Sequence, residues 1–172
     1  VFEEFSRNSV GGNVNMTSVR NGTIVVGTSG FRPVKIAILD GDLNLIEESE
    51  LGSAGAELIA LTGDPNHAIL ATYERLADGT RAVVIRHFDN DGRLTDQVDT
   101  FEVPVGSKTF VNGVNGEVFL SYVREGSLSL YELSAEREWI SHGEAVLPDA
   151  FTAQAVNGLY FTPDFGRHRP QF

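Results

Sequence analysis

A near-identical turn signal recurs along the chain, and each time it leads into a short apolar run. Asn21-Gly22 precedes Ile24-Val25-Val26, Asp64-Pro65-Asn66 precedes Ala68-Ile69-Leu70, Asn115-Gly116 precedes Val118-Phe119-Leu120, and Asn157-Gly158 precedes Leu159-Tyr160-Phe161. Asn, Asp and Gly tolerate the positive φ that tight turns require, so each signal marks a β-hairpin. Recurrence every 40 to 50 residues or so matches a repeat of four short strands. That repetition constrains the fold more than any single residue does.

Strands fill the intervals. The first complete unit reads as strands near 14–19, 23–28, 34–39 and 43–48, with Asp40-Gly41-Asp42 as its last hairpin turn. The second repeats the order at 57–61, 68–73, 82–88 and 94–100, turning at Ala77-Asp78-Gly79 and at Asp89-Asn90-Asp91-Gly92. The third runs 109–114, 117–123, 127–133 and 139–146. β-branched residues are frequent, strands are short and no stretch keeps helical periodicity for three turns, so the expected class is all-β. Four strands per unit, repeated, are the sequence form of a β-propeller blade.

The ends extend the pattern. Val1-Phe2-Glu3-Glu4-Phe5 precedes Gly11-Gly12 much as Leu45-Ile46-Glu47-Glu48 precedes Gly52, which marks residues 1–5 as a lone fourth strand. Residues 152–156 and 159–162 supply a first and second strand, and Arg169-Pro170 echoes Arg32-Pro33 at the start of a third. The expectation is one unit over 1–172, with blades at about 14–48, 56–100, 108–147 and 151–172 plus the strand at 1–5, or about three and a half blades. Two assemblies follow. A four-bladed ring would close by pairing the two termini and so remove exposed sheet edges; alternatively, the chain is about half of a larger, six- to eight-bladed propeller, with the rest on another chain or cut away.

The repeated pattern, as in Asn21-Gly22-Thr23-Ile24-Val25-Val26-Gly27 and His87-Phe88-Asp89-Asn90-Asp91-Gly92-Arg93-Leu94, resembles bacterial and archaeal surface-protein propeller repeats. The resemblance covers most of the chain and implies a propeller on a surface protein. The matching positions are those any blade uses for hairpins and core. The Trp-Asp dipeptide of WD40 repeats and the Ser-x-Asp-x-Gly-x-x-Trp box of sialidases are absent. A fold by itself carries no function.

Composition narrows the partners. With 172 residues and 41% hydrophobic content, the chain can bury a core as a single domain. A net charge of -11 argues against nucleic acid, which needs a basic stripe to displace counterions. No apolar run approaches the roughly 20 residues of a spanning helix, so membrane insertion is not expected. Cysteine is absent, which removes disulfides, thiolate metal sites and a Cys nucleophile. The chain begins at Val1, as a processed protein or excised fragment would, and this fits an extracellular or cell-surface origin. Sequons stand at Asn15-Met16-Thr17 and Asn21-Gly22-Thr23; Asn21 is the acceptor expected on an exposed turn.

Candidate chemistry is sparse. Asp89 and Asp91, with Asp96 beyond them, resemble a Ca²⁺ loop because alternating hard oxygens can converge on one cation. The full spacing fails, and the same residues also suit a hairpin turn; no cofactor is required. His67, His87, His142 and His168 fall on different strands and are not expected to share a site. Gly106-Ser107-Lys108-Thr109 echoes a phosphate-binding loop but lacks its upstream Gly. Asn13, Asn15, Glu57 and Lys108 stand at the starts of first strands, where propellers assemble ligand sites, and are the candidate ligand-binding residues. Trp139, Tyr73, Tyr122 and Tyr131 could stack on sugar rings or pack between blades.

The expected function is a non-catalytic binding or scaffold module for protein or carbohydrate. A glycoside hydrolase or lyase with its site completed by another chain is the alternative, since a paired acid and base would be needed. A structural subunit of a larger assembly is the third.

Overall fold

A computed structural model describes residues 14–27, 33–51 and 56–147. The strand expected at 1–5, the unit expected at 151–172 and Asn13 lie outside the described residues. Twelve strands run β1 Val14–Val19, β2 Gly22–Gly27, β3 Val34–Leu39, β4 Leu45–Leu51, β5 Glu57–Asp64, β6 His67–Arg75, β7 Arg81–Phe88, β8 Leu94–Glu102, β9 Lys108–Val114, β10 Glu117–Arg124, β11 Ser127–Leu133 and β12 Trp139–Val146. They form three four-stranded antiparallel sheets, each a meander in sequence order, and the described residues contain no helix. Each lies within a few residues of the strand expected from the pattern.

Local chemistry sets the turns. Asn115 and Gly116 at φ 53° and 82° join β9 to β10, and Glu125 and Gly126 at 49° and 84° join β10 to β11. These two-residue loops match the right-handed twist of paired strands. The first turn falls one residue earlier than its Asn-Gly signal: Val19 pairs with Gly22, so Arg20 and Asn21 turn the chain. The turns from third to fourth strand share one design. In Asp40–Asn44 and Asp89–Arg93 the leading carboxylate accepts from the backbone of the third residue, at 2.9 Å in each case, and of the fifth, at 2.8 Å in each. Ser134 Oγ likewise accepts from Glu138 N at 3.1 Å. The fourth residue is left-handed every time: Leu43, Gly92 and Arg137 have φ of 65°, 81° and 67°.

Alternation along the strands gives the sheets two apolar faces. Ile24, Val26, Ile36 and Ile38 of sheet 1 pack on Ala68, Leu70 and Phe88 of sheet 2. The opposite face of sheet 2, with Ile69, Ala71, Val83 and Ile85, packs on Val111, Val118, Leu120 and Leu133 of sheet 3. The sheets are thus stacked face to face in chain order. Their first strands lie side by side, β5 in contact with both β1 and β9, while the fourth strands β4, β8 and β12 carry the exposed residues. Between β5 and β9 a Cβ on Gly113 would come 3.2 Å from Gly63 Cα, so both glycines serve a close backbone approach. Thr62 Oγ1 donates to Asn112 Oδ1 at 2.8 Å across the same seam.

Candidate functional site

Meander topology puts the turns of each sheet at two opposite ends. First-to-second and third-to-fourth turns share one end; second-to-third turns and the linkers between sheets share the other. At this second end a cleft of about 1490 Å³ opens between sheets 2 and 3. The starts of β5 and β9, the ends of β6 and β10, the turns at Gly79-Thr80 and Glu125-Gly126, and the linker Val103–Ser107 form its walls. Glu57 and Lys108, both predicted from the sequence, line this cleft together. Asn15, the third described candidate, sits half-buried on β1 opposite Val26 and is not among the lining residues.

Charge and ring contacts organise the walls. Arg81 pairs with Glu57 at 3.6 Å, with both side chains largely in solvent, and its guanidinium lies 5.4 Å from the Tyr73 ring centroid. The Tyr73 hydroxyl shares a hydrogen bond with Thr109 Oγ1 across the two sheets. Burial raises the Tyr73 phenol above its ordinary value, against the opposite pull of the Thr109 bond and Arg81. Lys108 Nζ lies 5.9 Å from the centroid of Phe110. Arg124 and Glu125 pair at 3.1 Å. Comparison with protein-family models and with curated proteins gives no match for this chain. Arg75, Arg81 and Arg124 were not singled out from the sequence, because they come from two strand ends and a strand start that strand register and sheet stacking bring together.

The acidic turn takes a structural role. Asp89 Oδ1 caps its own turn, and Asp91 Oδ1 accepts from Asn21 Nδ2 at 2.5 Å, joining sheets 1 and 2 where Asn21 N also donates to Asn90 O at 3.0 Å. Asp96 stands exposed on β8. Among the described residues no group of three His, Cys, Asp or Glu converges as a metal site. The sequon residue Asn21 is exposed on its turn, with its amide engaged by Asp91.

Two histidines do meet, contrary to expectation. β6 and β7 pair Ile69 with His87, which leaves His67 diagonal to His87 on the same face. His87 Nε2 donates to Asp99 Oδ2 at 2.7 Å, and His87 Nδ1 faces His67 Nε2 at 3.0 Å. Arg137, from the last turn of sheet 3, donates to Asp99 Oδ1 at 2.5 Å. His87 and Asp99 are buried, and His67 Nδ1 is buried without a hydrogen-bond partner. Burial pushes the His87 imidazole below its ordinary value despite the opposing Asp99 carboxylate. His142 pairs separately with Glu132 at 2.7 Å, and His168 lies outside the described residues.

The aromatic residues mostly pack between sheets. Phe101 of sheet 2 meets Tyr131 at 4.7 Å and Trp139 at 5.1 Å between ring centroids, and Tyr122 stacks on Tyr131. Trp139 Nε1 donates to Thr100 O at 2.9 Å.

Proposed function

We propose that the chain is a binding module of β-propeller architecture, in which the three sheets are consecutive blades. Residues 1–13 and 148–172 together are as many as β1 to β4 span, enough for a further blade that would complete a four-bladed ring. The side-by-side first strands and exposed fourth strands support this architecture. The outward face of sheet 1 adds to it, because Val25, Ala37 and Leu39 form an apolar cluster there. A location outside the cell or on its surface is part of the same proposal.

The observation that carries a binding role is the cleft, where two first strands, a linker and two turns leave open volume between stacked sheets. Both of its carboxylates, Glu57 and Glu125, face an arginine, an arrangement suited to holding a partner's charges rather than to paired acid and base work. The chain, tagged, is tested on arrays of peptides and oligosaccharides. Binding is expected to be lost in the double variant Glu57→Lys, Lys108→Glu and kept in Asp42→Lys at the opposite end. Ligands that ignore the cleft variant would refute a binding role for this cleft.

A further inference from the structure

We infer that the cleft takes an acidic, extended polypeptide segment carrying apolar side chains; the inference rests on the binding role proposed above and narrows its ligand. The chain carries -11 net charge, yet Arg75, Arg81, Lys108 and Arg124 line the cleft against only Glu57 and Glu125. Those two carboxylates are matched by Arg81 and Arg124. Arg75 and Lys108 remain without a carboxylate partner among the described residues, so the cleft presents unbalanced positive charge on an acidic molecule. Such contrast steers an anionic partner to one place and repels it from the rest of the surface.

The ligand is a polypeptide rather than an acidic saccharide because of what the rings and rim present. A pyranose needs an open aromatic face, whereas Arg81 lies over Tyr73 and Lys108 over Phe110. The rim is aliphatic instead: Val105 is 91% exposed and Val146 85%, and both line the cleft. Exposed aliphatic side chains beside cations fit a segment that alternates carboxylates with apolar residues. Ser107, on the linker that lines the cleft, holds a buried hydroxyl with no hydrogen-bond partner.

Fluorescence anisotropy of the full chain decides the matter, with a short labelled peptide repeating Asp-Leu-Glu-Gly, its neutral counterpart repeating Asn-Leu-Gln-Gly, and an oligogalacturonate of matched charge. The acidic peptide is expected to bind at least about tenfold more tightly than the neutral one, and to lose about tenfold in the double variant Arg75→Glu, Lys108→Glu. Arg75→Gln with Lys108→Gln, which removes both charges but keeps part of each aliphatic stem and a polar end, is expected to lose less but in the same direction, so a folding defect in the first variant does not decide the result. Equal binding of the neutral peptide would sink this inference and leave the binding role intact. Binding of the oligogalacturonate in place of the peptide would also overturn it, assigning the cleft to acidic saccharides. Silence from all three probes removes the inference, and the array experiment then decides the binding role separately.

Discussion

Asp99 joins two sheets through one buried carboxylate. It accepts from His87 within sheet 2 and from Arg137 of sheet 3, and it is itself only 6% exposed. Removing Asp99 leaves the buried His87 Nε2 without its acceptor, whereas Arg137, 36% exposed, regains water, so Asp99→Ala is expected to cost about 2 kcal/mol in urea unfolding. His87 adds a pH dependence of known sign. Its pKa is lower folded than unfolded, because burial disfavours the imidazolium. The unfolded chain therefore binds the proton first, and stability is full above about pH 6.5 and declines as pH falls towards the lower folded value. The urea midpoint is expected to fall as pH drops below about 6.5, and to fall less in His87→Gln. Glu74 acts in a separate, more acidic window. Burial raises its pKa, but hydrogen bonds from Arg86 and Thr72 outweigh that and leave it lowered, so its contribution holds above its ordinary value and fades as pH falls through the folded one.

The three turns from third to fourth strand share one geometry with different residues at the left-handed fourth position. Gly92 suits φ 81°, and a Cβ there would meet Ile24 at 3.2 Å and Ile38 at 3.3 Å. Gly92→Ala is expected to lose about 2 kcal/mol. Leu43, 57% exposed at φ 65°, carries the strain that Gly92 avoids. Leu43→Gly is expected to be neutral or to gain up to about 1 kcal/mol, and opposite signs in paired thermal melts would verify the shared geometry. Strands and turns of this kind were legible in the sequence because period-two alternation and positive-φ residues are local signals. The pairing of His67 with His87 was legible only with register: folding β6 onto β7 about Leu76–Thr80 sets the two rings diagonally, a step that spacing along the chain does not supply. The cleft was half legible. Glu57 and Lys108 follow from their place at first-strand starts, whereas Arg75, Arg81 and Arg124 depend on how neighbouring sheets stack, which no local motif records.

At the scale of the molecule, hydrogen-bonded ladders among the described residues stop at the border of each sheet, and side chains and turns hold the sheets together. Val25, Ala37 and Leu39 lie on the face of sheet 1 that points away from sheet 2. In the proposed ring that face needs a further blade built partly from residues 148–172. Light scattering is expected to give a monomer for the full chain, and dimers or aggregates once 148–172 are deleted; an unchanged monomer would count against the ring. The meander order has a further effect, on how the protein is made. Each four-stranded sheet pairs only strands adjacent in the chain, so β1 to β4 can pair once Leu51 has emerged from the ribosome, while β5 is still inside the exit tunnel. Synthesis then becomes a sequence of small, local folding events, each laying down the apolar face on which the next sheet condenses.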